Sequence, residues 1–375
     1  MSKLIRLLVT AVILTAVSMQ VYAADTRLKI TLLSAGNSEN QFWNNVVGFA
    51  KEAANDLDIE LVVVAPEQET TYTTRRLSEQ VAKQLSGGDF LIAPYMRSVT
   101  PDLLEKSRER GFKVFLINAD VLDADRGQVG APRDKYKNWI GHAYADDKLA
   151  GYLVADEIIK HFTKVYGDKG QTRIRMMALM GKSSAQASYD RDAGLKERIK
   201  EEVGGIRIDA SENADWSEES AYFTTKRLIG EYPFLNAVWA ASDGMAIGAV
   251  KALKEAGKTP GRDVFVAGVD WAPDGINAVQ AGELSATVGG HFMDAGIAVL
   301  LIHDYYHGID FVNELGTTFT TAMYPISQDN IGEYMNKIGK NPDWSKVNFK
   351  QFSKHNNKAL QKYDFSWQRL VGNRK

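Results

Sequence analysis

Three groups of residues in this chain have types and spacings that invite a chemical reading. His303 and His307 stand four apart, which puts two imidazoles on one face of a helix, where a metal could use them. No glutamate stands between them as in a metalloprotease motif and no third imidazole completes the set, so a solvated helix end and no metal are expected. Gly181-Lys-Ser-Ser184 has part of a phosphate loop but lacks the upstream glycine at the needed spacing. No Gly-x-Ser-x-Gly elbow occurs and nothing pairs a base with a nucleophile, so these residues imply neither catalysis nor a cofactor. The third group is polar and aromatic: Asn40, Phe42, Trp43, Asn118, Arg191, Trp216, Ser242, Asp243, Asp270 and His291. A guanidinium such as that of Arg191 can form paired bonds to neighbouring hydroxyls or to a carboxylate. Asp243 follows a strand and can cap the next helix, because Asp near a helix start satisfies free N–H groups.

Position unites this third group. Short apolar runs at residues 28–33, 59–64, 90–93 and 113–117 alternate with helical stretches, such as the one whose apolar face is Val46, Phe49, Ala50, Ala53 and Leu57. Thr100-Pro101 reads as a helix start with Thr as the cap, and Gly111 as its stop. The alternation resumes after Tyr144, with strands expected at 174–179, 206–210, 237–240, 264–269 and 284–288. Strands apolar on both faces and separated by helices imply parallel sheets covered on both sides. In such α/β sheets ligands bind beyond the carboxyl ends of the strands, which is where most of the third group falls. Residues 120–138 interrupt the pattern as a long loop with turn residues. From about residue 328 the alternation is lost, and Trp344, Phe349, Phe352, Tyr363, Phe365 and Trp367 suggest a strap over the surface rather than disorder.

Bulk properties narrow the setting. Lys3 and Arg6, an apolar run over 7–19 and Val21-Tyr22-Ala23 have the layout of an export signal cleaved near Ala23, since the run is short of the roughly 20 residues that span a bilayer. The 375 residues contain no cysteine, hence no disulfide, thiolate zinc site or lipid-attachment site. With 45 basic against 47 acidic residues, nothing points to nucleic acid. The length predicts about two domains.

The chain resembles the type I periplasmic binding proteins, the ribose-binding and autoinducer-2-binding group. The resemblance rests on Val238-Trp-Ala-Ala-Ser-Asp-Gly-Met-Ala-Ile-Gly-Ala-Val-Lys-Ala-Leu253, then Val266-Ala-Gly-Val-Asp270, Pro273-Asp274-Gly275, Ala278-Val-Gln-Ala-Gly282 and Ala286-Thr-Val288, in that order. It implies an α/β fold of two Rossmann-like parallel-sheet lobes joined by a three-segment hinge near 142–145, 289–291 and 320–324. The lobes would be residues 24–143 with 291–319 and residues 144–290 with 320–340, followed by a strap at 341–375.

The resemblance also implies roles. Phe42 and Trp43 would stack on a sugar ring beside Asn40, or Phe42 would be a core residue of its helix and leave Trp43 to face the cleft. Arg191 and Asp270 would bind hydroxyls, Trp216 would be an aromatic clamp, and Asn118, Ser242, Asp243 and His291 would line the cleft. Ribose binders usually carry Asp where Asn118 stands and a second arginine where Ala119 stands; Ser242 replaces a usual Asn and Gly290 a Gln. These departures make ribose itself doubtful as the ligand. The implied protein is a periplasmic monomer delivering a sugar-like ligand to a membrane permease, or docking on a sensor kinase.

Overall fold

The computed structural model describes residues 27–167, 173–202, 205–339 and 342–372. The expected export signal lies outside the described residues. Among those described, no helix is long and apolar enough to cross a membrane.

The first sheet contains β1 (Lys29–Leu33), β2 (Glu60–Val64), β3 (Phe90–Pro94), β4 (Lys113–Asn118), β5 (Trp139–Ala145) and β11 (Thr318–Thr321). Their order is β11-β5-β4-β3-β1-β2, every pair parallel. The second sheet contains β6 (Ile174–Met180), β7 (Ile206–Asn213), β8 (Ala237–Ala240), β9 (Phe265–Val269), β10 (Ala286–Gly289) and β12 (Tyr324–Ser327). It runs β12-β10-β9-β8-β6-β7, with only β12 antiparallel to its neighbour. Central strands such as β3, β8 and β9 are buried at every position, whereas the edge strand β7 is half-buried or exposed. This is the burial that sheets covered on both faces demand.

Helices α1 (Gln41–Asp56), α2 (Thr71–Gln84), α3 (Thr100–Arg110) and the single turn α4 (Arg126–Val129) follow successive strands of the first sheet. In the second lobe come α5 (Asp147–Tyr166), α6 (Gln186–Glu201), α7 (Glu218–Glu231), α8 (Asp243–Glu255) and α9 (Pro273–Gln280). After β10 the chain returns to the first lobe, where α10 (Asp294–Tyr306) packs on α1, β3 and β4, followed by the short α11 (Val312–Leu315). The chain therefore passes between the sheets three times, at residues 145–147, 289–294 and 321–324.

Four local expectations are corrected. Thr100 is the first residue of α3 rather than its cap; its hydroxyl instead accepts from the Met96 N–H at 2.8 Å. Residues 120–138 form more than a surface loop, because Val121, Leu122, Val129 and Tyr136 are buried and belong to the first lobe's second apolar cluster. The tail is not laid over the surface either. Trp344, Phe349 and Phe352 are buried, with Trp344 and Phe349 edge-on to Phe49 of α1 at 5.4 and 5.1 Å. Further on, Trp367 of α13 (Trp367–Gly372) packs on Trp271 at 4.8 Å and stacks on Tyr334 of α12 (Ile331–Lys337) at 5.9 Å. Finally, His303 is buried rather than solvated, and His307 stacks at 3.7 Å on His355 from the tail. Among the described residues no group of three or more His, Cys, Asp or Glu side chains could hold a metal ion.

Candidate functional site

The carboxyl ends of both sheets face each other across the hinge, and five of the ten expected residues meet there. Arg191, on the first turns of α6, is at the centre. Its Nε donates to Asp147 at 2.7 Å and its Nη1 to the Ala241 carbonyl at 2.6 Å, while Asp270 lies 3.8 Å from Nη1. The guanidinium carbon is 5.5 Å from the Trp216 ring. Asp270 is in turn 3.5 Å from His291 Nε2, and the His291 ring stacks on Phe42 at 4.6 Å. Trp216, Arg191, Asp270, His291 and Phe42 thus form a continuous line from the second lobe through the hinge to the first.

Glycines explain how Arg191 and Trp216 reach these places. A methyl on Gly151 of α5 would sit 1.9 Å from the Arg191 carbonyl oxygen, and one on Gly194 would sit 1.9 Å from that of Lys148. The two helices therefore touch backbone to backbone, which delivers Arg191 to Asp147. Gly181 owes its place to Trp216, whose ring would lie 2.0 Å from an added methyl, rather than to any phosphate. Gly151→Ala should force α5 and α6 apart at a cost of about 1–3 kcal/mol. A lowered urea midpoint at unchanged m-value checks this, and a midpoint equal to wild type would refute the close packing.

Asp270 is aimed by a strained corner. Asp270 and Trp271 have φ of 133° and 53°, positive values that side-chain-bearing residues rarely adopt. Three bonds hold the corner: Asp270 N–H to the Val288 carbonyl at 2.7 Å, Trp271 N–H to the Thr287 hydroxyl at 3.1 Å, and Ala272 N–H to Asp243 at 2.9 Å. The Thr287 hydroxyl donates to the same Asp243 oxygen at 2.7 Å. Burial, with Asp270 nearby, pushes the Asp243 carboxyl well above the usual carboxylate range.

Of the other five expected residues, Asn40, Trp43, Ser242 and Asp243 are engaged elsewhere, and Asn118 is not. Asp243, fully enclosed, ties the corner rather than lining the cleft, and the cap of α8 is Ser242, whose hydroxyl accepts from the Met245 N–H at 3.4 Å. Asn40 caps α1, its Oδ1 accepting from the Trp43 N–H at 3.1 Å, and its amide reaches Glu69 at 3.3 Å. Trp43 is buried in the first lobe's core against Gly36, so Phe42 is the ring that faces His291. Asn118 ends β4 with φ 74°, and its Oδ1 is buried without a protein partner.

The sequence reading missed Asp147 and Thr287, and also two contacts that bridge the lobes. Gln41 donates to Asp274 at 2.6 Å and accepts from its N–H at 3.0 Å. On the other side, Gln186 accepts from the Asp123 N–H at 3.0 Å. Both contacts cross from one lobe to the other. Acidic groups predominate around the cleft: burial raises the Asp190 carboxyl, with Asp147, Asp120 and Asp123 adding to the effect against the Gln186 hydrogen bond. Arg126 is taken by Asp120 at 2.7 Å.

Comparison with known proteins gives a consistent result. A model of the periplasmic binding protein domain matches residues 31–302. The ribose import binding protein RbsB of Escherichia coli is 26% identical over 282 residues, covering 75% of this chain and 84% of that protein. The galactofuranose-binding protein YtfQ of Escherichia coli is 25% identical over 286 residues, covering 76% and 83%. The crystal structure of a periplasmic sugar-binding protein from Pseudomonas fluorescens aligns with a TM-score of 0.79 at 25% identity, over 92% of this chain and 99% of that one.

Proposed function

The chain belongs to the periplasmic binding protein domain family, and from that premise we propose that it captures a neutral, sugar-like molecule in the interlobe cleft and hands it to an ABC-type importer. It is a binding protein and not an enzyme. The observation that carries the reading is the line of Arg191, Asp270 and His291 between the rings of Trp216 and Phe42. Rings at both ends suit the apolar faces of a sugar, and the charged groups between them suit its hydroxyl rim. Excess carboxylates disfavour a sugar phosphate or uronate, which would add a like charge at close range.

The lobes act as hinged jaws. Ligand contributed to both faces at once favours the closed form, in which Gln41–Asp274 and Gln186–Asp123 bridge the mouth. The closed outer surface is then what a membrane permease recognises, with the binding protein acting as a monomer in the periplasm. Docking on a sensor kinase drew its support from the loop and tail as spare surfaces. Both contribute buried side chains to this chain's own core, so the importer reading is preferred.

A thermal-shift screen of the mature chain against pentoses, hexoses, inositols, uronates and sugar phosphates tests the reading, since a ligand binding only the folded state must raise the melting temperature. A rise for a neutral sugar or polyol supports it. A rise confined to anionic compounds, or none across the panel, refutes it.

A further inference from the structure

Besides the three crossings, the tail also spans the hinge. Tyr334 lies on α12, which packs against α9 and β12 of the second lobe. By Trp344 the chain has reached the first lobe, where Trp344 and Phe349 meet Phe49 edge-on and the Lys350 N–H donates to Asp56 at 3.1 Å. Asp304 of α10 then fixes the stretch from Ser353 to Tyr363, accepting from Ser353, the Lys354 N–H and the Tyr363 hydroxyl. After Tyr363 the chain goes back, and Trp367 packs on Trp271 and Tyr334 of the second lobe. The tail is thus a strap anchored on one lobe that returns to the other.

The end of the strap lands on the corner that aims Asp270. A methyl on Gly289 would sit 2.4 Å from the Trp271 indole, whose Nε1 donates to the Tyr324 carbonyl at 3.0 Å, and Phe292 lies 6.4 Å from it. The second and third crossings therefore both bear on this ring. Asn45 of α1 donates to the Trp271 carbonyl at 3.4 Å. Of the rings around Trp271, Trp367 is the nearest, edge-on at 4.8 Å, ahead of Tyr334 at 5.9 Å. Trp344 backs the arrangement, 6.1 Å from Trp367 and 5.3 Å from Phe292. Trp271 is 3% exposed, whereas Trp367 is only half-buried, so removing the outer ring would open the inner one to water. Two successive positive φ values persist only where the surroundings over-determine them, and Trp367 completes the enclosure.

We propose that Trp367 is a positioning residue: by enclosing Trp271 it fixes the backbone corner that points Asp270 into the cleft, and the tail thereby tunes ligand affinity. The effect on affinity rests on the cleft reading above; the hold on the corner does not. Were Trp367 only a fastening for the tail, its loss would free residues near the chain end and leave the corner as it is.

Amide hydrogen exchange in the ligand-free full chain tests this, because the Asp270 and Trp271 N–H groups donate to the Val288 carbonyl and the Thr287 hydroxyl only while the corner is held. In Trp367→Ala both amides should exchange about tenfold faster, the weight of one edge-on ring pair, while the amides of β8 keep their wild-type rates. Trp367→Phe, which keeps a ring in place, should restore most of the protection. With the sugar found by the screen, Trp367→Ala should bind about threefold to tenfold more weakly and Trp367→Phe close to wild type. Wild-type exchange at Asp270 and Trp271 in Trp367→Ala, or an equal acceleration throughout β8, would overturn the proposal, as would wild-type affinity in that variant. Exchange is read without ligand, so a silent sugar screen leaves this test intact, and unchanged exchange leaves the sugar reading standing.

Discussion

Arg191→Ala should abolish ligand binding and lower stability by about 3–5 kcal/mol, the usual cost of stripping one partner from a buried ion pair. Arg191 is 5% exposed and its partner Asp147 3%, so solvent cannot replace the lost guanidinium. The same deletion removes the cation beside Asp270 and the stacking partner of Trp216. Arg191→Lys should recover little, because one ammonium cannot reach Asp147, the Ala241 carbonyl and Asp270 together. Equilibrium urea unfolding with and without the sugar found by the screen checks both parts. A variant as stable as wild type would show that the Arg191–Asp147 pair contributes little.

Asp304→Ala should release the tail. Asp304 is fully buried and accepts from Ser353 Oγ at 2.5 Å, the Lys354 N–H at 2.7 Å, the His355 N–H at 3.2 Å and the Tyr363 hydroxyl at 2.8 Å. Leaving these donors unpaired should cost about 3 kcal/mol or more, at 1–3 kcal/mol for each that stays buried. Limited proteolysis should then cut within residues 342–372 faster than in wild type; an unchanged rate would mean the aromatic contacts alone hold the tail.

Acid should act on the same junction. Burial lowers the pKa of His307, with His355 and His303 adding to it, and burial lowers that of His355, with His303 and Lys358 adding. A base with a depressed folded pKa loses stability as pH falls below its unfolded value of about 6.5. The Asp304 carboxyl is lowered by His303, Ser353 and Tyr363 against its burial, so its contribution is lost only as pH falls through that depressed value. His142, pushed down to about 4 by burial, weakens the first lobe in the same direction. Proteolysis at the tail is therefore the readout that separates the junction from the lobe.

The alternating fold was legible because parallel strands buried on both faces are written as short apolar runs, as β3, β8 and β9 are. Arg191 and Asp270 were legible as polar residues at strand or helix ends within a recognisable order. The phase of α1 was not. Asn40 and Trp43 stand beside Phe42 in sequence, but a cap fixes where the helix starts, and the roughly 100° step per residue sends Phe42 to the hinge and Trp43 into the core. Asp147 and Thr287 were missed because their partners are 44 and 16 residues away, a pairing that only the folded second lobe creates. The tail's rings announced burial without saying against what, since the contacts to Phe49 and Trp271 span most of the chain.

Isothermal titration of the mature chain with the sugar found by the screen, beside Asp270→Ala and Trp216→Ala, tests ligand capture in the cleft most directly. One molecule should bind per chain, with affinity falling at least about tenfold in each variant, as loss of a buried hydrogen-bonding or stacking partner requires. Wild-type affinity in both variants would place the ligand elsewhere and contradict the assignment of the interlobe cleft as the binding site.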